Sequence, residues 1–276
     1  MRRLALGFIF TLFFVDGVEA KACQPVPAEL LPLLKQGSVI FVGETHGTVQ
    51  MPESFYDIVC AASELGRTVE IGLEFTSDMT SAYQRFMTAD QVSLGDARNA
   101  ILNSDFWTLD LEHQDGRRSI AAFDLLENLR TLHYENKNIS VFGFDQAVDD
   151  FTQRDRKMSE QILARTSPDK IVLVFTGSVH SMLEHWTPWN PKIGNAAAYV
   201  KEKYSETVSI KLLHTGGKAW VCQGECGVKE RERTASNVDG ANPFNKSDGS
   251  DKHSWNWNIG EIDASLPQLT LIELSD

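Results

Sequence analysis

The chain has no apolar run long enough to span a bilayer, which takes about 20 residues. Its one long apolar stretch, Leu4 to Val15, follows Arg2 and Arg3 and precedes Val18-Glu19-Ala20, a small-residue cleavage signature ahead of Lys21. These features read as a signal peptide over residues 1–20 and an exported mature chain, periplasmic or secreted, with no transmembrane segment. Lipid attachment at Cys23 is disfavoured, because Lys21 stands where such a signal takes a small neutral residue. Basic residues are scarce too: 26 Lys and Arg face 38 Asp and Glu. No basic stripe compensates, which excludes the concentrated positive surface that a nucleic-acid partner requires. There is no Gly-x-Ser-x-Gly elbow, no glycine-rich phosphate loop and no dinucleotide fingerprint, so the usual serine hydrolase and nucleotide-binding designs are disfavoured.

Cysteine is limited to four residues, which in an exported chain suggests two disulfides with three possible pairings. Cys222 and Cys226 flank Gln223-Gly224-Glu225, so a local bridge is the easiest closure and leaves Cys23 for Cys60. The alternative for Cys60, among Phe55, Ile58 and Val59, is a small buried hydrophobe. A zinc site at Cys222 and Cys226 lacks a second ligand pair nearby.

At 276 residues and 42% hydrophobic, the chain suits one α/β domain over residues 21–276. Strand-like runs (Ser38–Val42, Thr68–Phe75, Asn138–Asp145, Lys170–Phe175, Val208–Leu213) alternate with helical ones (Ser54–Leu65, Phe151–Ala164, Ala196–Tyr204). That order predicts a mostly parallel central sheet flanked by helices. Residues 77–135 read as a helical insertion, a plausible lid, from the spacing of Met79, Tyr83, Phe86 and Met87 and of Ile120, Phe123, Leu126 and Leu129. Ala219–Cys222 is expected to pair with Val208–Leu213 as a hairpin. Residues 223–262 turn polar and read as a long mobile loop, pinned by Trp255 and Trp257, before a last strand over Leu269–Leu274.

Two copies of one pattern stand out. Ser38–Val42 runs into Gly43-Glu44-Thr45-His46, and Lys170–Phe175 into Thr176-Gly177-Ser178-Val179-His180. With 19 Gly and 7 His, random placement gives about half of one Gly-x-x-His, yet both copies sit behind strands. Glu74 and Asp145 also end strands. A carboxylate in a run of Ile, Leu and Phe is costly to bury without a partner. Glu74 is therefore expected to meet His46 or His180, the alternatives being an Arg partner or a helix cap; for Asp145 a turn-capping role weighs equally. Carriers of chemistry are thus His46 as general base or metal ligand, Glu74 as its orienting carboxylate, His180, Glu44 as an auxiliary acid, and Asp145. His46, His180 and Glu74 could equally hold a divalent metal. Ser178 reads as a turn residue, and His113, His133, His185, His214 and His253 as exposed or edge residues.

Gly43-Glu44-Thr45-His46-Gly47, Glu74, Phe142-Gly143-Phe144-Asp145 and Gly177-Ser178-Val179-His180, in that order, resemble the superfamily of erythromycin esterases, ChaN haem-binding lipoproteins and Tiki metalloproteases. The resemblance spans Ser38 to His180 and implies an α/β core with helical additions. Its esterase branch implies that His46 and Glu74 activate water near His180, and its Tiki branch implies metal-supported hydrolysis. The expected function is hydrolysis of an ester or amide in a small-molecule or peptide substrate. The alternative is haem or iron binding without turnover. ChaN-type sequences often carry a second His soon after the first motif, which this chain lacks; Tyr83, Met79 and Met87 are the substitute haem ligands, against their plainer reading as core residues.

Overall fold

The computed structural model describes residues 21–136, 138–187, 194–235 and 243–269. The proposed signal peptide lies outside them, as does the last expected strand beyond Leu269. Among the described residues, six α-helices and two sheets make up the fold. The larger sheet joins β1 (Val39–Glu44), β2 (Val69–Thr76), β3 (Ile139–Asp145), β4 (Ile171–Gly177), β5 (Thr207–Leu213), β8 (Phe244–Lys246) and β9 (Trp255–Asn258) in the order β3-β2-β4-β1-β5-β9-β8. All pairings are parallel except β8 with β9. This is an α/β fold.

The near-continuous apolar runs of β1, β2 and β4 follow from burial on both faces. Along β1, Ile40 and Val42 join one core, whereas Val39 and Phe41 join the other. The first core packs against α1 (Gln50–Glu64), α2 (Thr80–Thr88), α3 (Leu94–Leu102) and α4 (Ile120–Asn136); the second against α5 (Arg154–Leu163) and α6 (Ala196–Lys203). The three helices between β2 and β3 fill the stretch expected to be helical. Tyr83 and Met87 lie in that core, with Met79 packed against it.

Two expectations need correction. Residues 219–222 do not pair with β5: β6 (Gly217–Gln223) folds back on β7 (Glu225–Arg231) as a separate antiparallel sheet. Strand β5 instead finds β1 on one side and β9 on the other. The polar stretch from 223 to 262 contains β7, β8 and β9. Trp257 is buried, and Trp255 stacks on Phe244 with ring centroids 5.1 Å apart, so side-chain packing compensates for the polar composition.

Both bridges form, Cys23 to Cys60 and Cys222 to Cys226. Among the described residues no helix is long and apolar enough to cross a membrane.

Candidate active site at the strand ends

Parallel strands deliver their carboxyl ends to one edge. The strand order β3-β2-β4-β1 therefore brings Asp145, Glu74, His180 and His46 together. Strands β1 and β4 are neighbours, with Glu44 opposite Gly177, so the two Gly-x-x-His turns interlock. A side chain at Gly43 would overlap the Ser181 hydroxyl, and a Cβ at Gly177 would stand 3.0 Å from His46 Nε2. Each motif's glycine thus makes room for the other motif. Gly47, in the left-handed region at φ +70°, lets Trp220 donate its amide to the Gly47 carbonyl. The β6–β7 hairpin is thereby held against the first turn.

The side chains form a line of alternating acids and imidazoles. His46 Nδ1 lies 2.8 Å from Glu44 Oε1, and its Nε2 lies 3.5 Å from Glu74 Oε2. Glu74 Oε1 is 3.8 Å from His180 Nε2, and His180 Nδ1 is 2.8 Å from Asp155 Oδ1. Glu74 is 5% exposed and fully partnered. Its Oε2 accepts from the Thr176 hydroxyl (2.6 Å) and the Gly177 amide (2.8 Å), and its Oε1 from Arg154 (2.9 Å) and Arg117 (3.4 Å). Asp145 accepts from Arg117 Nη1 at 2.6 Å, from Arg154 Nε and Nη2, and from the next amide, Gln146. The Arg-partner alternative and the partnership with His46 therefore both hold for Glu74, whereas Asp145 is ion-paired to both arginines and the next helical turn is capped by Asp150.

Sequence reasoning missed Asp115, Arg117, Arg154 and Asp155. Arg154 and Asp155 open α5, whose first turn faces the strand ends; an Arg-Asp pair at a helix start after Asp145 was the available signal. Asp115 and Arg117 flank Gly116 in the loop before α4, and only tertiary packing places them. Gly116 has φ +92°, and a Cβ there would strike the Gly47 amide. The insertion loop and the first motif thus touch backbone to backbone.

Electrostatics distinguish the groups. At His46, burial works against the charged ring, but Glu74 and Glu44, then Asp115, outweigh it and push the imidazole up to about 9. Burial raises the Glu44 carboxyl against the opposing pull of His46. Burial also opposes charge on Glu74, yet its ion-pair and hydrogen-bond partners outweigh it and hold the carboxyl well below the usual range. Beneath the line, Glu44, Glu74, Arg117, Phe75 and Phe175 border a cavity of about 20 Å³, room for one water. A larger cleft of about 500 Å³ beside Lys21, Tyr56, Arg98 and Glu127 contains none of the line's residues.

The residues do not fit a metal. Both oxygens of Glu74 are taken by donors, His180 Nε2 faces Arg154 at 3.2 Å, and two guanidiniums supply the positive charge an ion would bring. Among the described residues no group of three His, Cys, Asp or Glu is arranged to hold one. Haem fits no better at the residues named for it, because Tyr83 and Met87 are core side chains. Two of the other histidines correct the expectation of exposure. His214 is buried, and so is His253, whose Nε2 meets the Ser178 carbonyl (3.1 Å) and the Ser181 hydroxyl (3.0 Å) and so ties the loop before β9 to the second turn.

The fold is similar to that of an erythromycin esterase. EreC in its open conformation is similar over 87% of this chain and 93% of its own, with a TM-score of 0.52 and 10% identity. A Bacillus cereus protein is similar over 87% and 92%, with a TM-score of 0.59 and 11% identity. ChaN of Campylobacter jejuni, solved with cofacial haem, matches over 67% and 84% with a TM-score of 0.44 and 16% identity. No protein-family model matches the chain, and no curated protein matches its sequence.

Proposed function

We propose that this chain is an exported hydrolase that activates water at the carboxyl edge of its sheet and cleaves an ester or amide in a small molecule or peptide. The observation that carries the reading is the line Glu44–His46–Glu74–His180–Asp155, with His46 reaching solvent at 20% side-chain exposure. Imidazoles held by carboxylates are proton-transfer groups, and two of them with three carboxylates in hydrogen-bonded or near contact exceed what a packing role needs. The fold shared with an esterase supports the reaction class. Export is supported by the apolar leader behind Arg2 and Arg3 and by the two disulfides.

The test is hydrolysis of a simple alkyl ester and of short peptides by the oxidised chain from Lys21, beside His46→Ala. Turnover that falls at least about 10²-fold in the variant is expected. Equal rates in both, or a Soret band with stoichiometric haem and no turnover, would overturn the proposal in favour of a binding protein.

A further inference from the structure

The two motif histidines face different partners, and the partners fix where the protons sit. Arginine has donors only and does not lose its proton in proteins. Arg154 Nη1 lies 3.2 Å from His180 Nε2, so that nitrogen presents a lone pair. The other nitrogen, Nδ1, faces Asp155 Oδ1 at 2.8 Å and carries the hydrogen. Asp155 is itself fixed by the Ala196 amide at 2.8 Å. His180 is therefore the neutral Nδ1–H tautomer, with Arg154, Asp155 and Glu74 the charged groups around it.

His46 is the opposite case. Its Nδ1 faces Glu44, its Nε2 faces Glu74, and Asp115 adds a third negative charge nearby. Among the described residues neither nitrogen meets a donor. A ring with a carboxylate at each nitrogen and no guanidinium against either, unlike His180, is an imidazolium.

We infer that the two turns divide the proton work, His180 acting as the base and His46 as the acid, the reverse of the assignment that the more exposed His46 suggests. The inference rests on the hydrolase reading. A water displaces the Arg154 N–H from His180 Nε2 and loses a proton to that nitrogen as its oxygen bonds the substrate carbonyl carbon. The tetrahedral intermediate then collapses, the bond to the leaving oxygen or nitrogen breaks, and His46 Nε2–H protonates the leaving group. One proton now sits on His180 and one is missing from His46. Glu74, between the two Nε2 atoms at 3.8 and 3.5 Å, is placed to return it. The pKa of about 9 at His46 agrees with an acid charged at neutral pH.

Two measurements test this on the full oxidised chain. Imidazole ¹⁵N shifts at pH 7, assigned by loss of signals in His46→Gln and His180→Gln, are expected to show His46 protonated on both nitrogens and His180 on one. A neutral His46 or a cationic His180 overturns the inference, whatever the activity. For turnover, an alkyl ester needs its leaving group protonated far more than a p-nitrophenyl ester does. His46→Gln should slow the alkyl ester by about 10³-fold and the aryl ester by about 10-fold, while His180→Gln slows both by about 10²- to 10⁴-fold. The opposite pattern overturns the inference. If the native chain cleaves neither ester, the hydrolase reading fails, and the spectrum alone decides the proton placement.

Discussion

The turn after β1 and the turn after β4 start from the same four-residue spacing and end in opposite surroundings. In the first, the acid behind the histidine is Glu44, from the motif itself; in the second it is Asp155, from the first turn of α5. The first imidazole lies between two carboxylates and touches solvent, whereas the second is buried with a guanidinium against its free nitrogen. A Gly-x-x-His spacing thus fixes where an imidazole goes. Its charge is set by the groups that the rest of the fold packs around it. The difference matters because a pair of histidines in unlike states can give and take protons in one cycle, and a pair in like states cannot.

The largest expected effect is at the group both turns share. Glu74→Gln keeps the shape but removes the negative charge from between Arg117, Arg154 and His46. Breaking a buried ion pair by removing one partner costs about 3–5 kcal/mol. We expect a loss near the lower end, since Asp145 still faces both guanidiniums, with hydrolysis falling more than about 10³-fold. Denaturant midpoints and ester rates check both numbers. A variant as stable and as active as the native chain would mean that Glu74 couples nothing.

Next come the two motif glycines, which pack against opposite turns. A Cβ at Gly43 would overlap Ser181, which is fully buried and hydrogen-bonded; a Cβ at Gly177 would press on His46, which borders solvent. Gly43→Ala should therefore destabilise by about 2–3 kcal/mol through overpacking. Gly177→Ala should cost about 1 kcal/mol, with a larger share of its effect on turnover, because His46 can move aside but then leaves its place beside Glu74. Thermal melts beside initial rates separate the two. Equal losses of stability would show that the turns are equally confined.

The parts of this molecule legible in its sequence are those set by local pattern. Buried strands with apolar faces on both sides announced β1 to β5, and the order of strands and helices announced a parallel sheet whose carboxyl edge collects His46, Glu74, Asp145 and His180. Arg117 and Asp115 were not legible, because a loop before α4 reaches the site only through the backbone contact of Gly116 with Gly47. Nor was the partnering of β6, where two consecutive strands pair locally and nothing in their composition names the partner. Strands β8 and β9 hid in a polar stretch, since one face of each is covered by aromatic packing rather than by an apolar run.

The smallest expected effects discriminate most finely between the turns. Raised from 6.5 to about 9, His46 contributes stability that is complete below 6.5 and lost as pH rises through 9, at most about 3 kcal/mol in all. Glu44→Gln removes one of the two carboxylates behind that shift. Stability should then decline at lower pH, with the midpoint of the decline moving down by about 1 unit. Asp155→Asn removes the matching acid from the other turn but keeps an oxygen to accept from the His180 ring and the Ala196 amide. It should leave the alkaline limb in place and cost under about 1 kcal/mol, because neutral His180 has no charge to lose. Its rate effect should be about 10- to 100-fold, since an acid behind the ring sets the basicity of the far nitrogen. Urea melts from pH 6 to 10 read the comparison directly. An alkaline limb that moves with Asp155 rather than with Glu44 would assign the cation to the other turn.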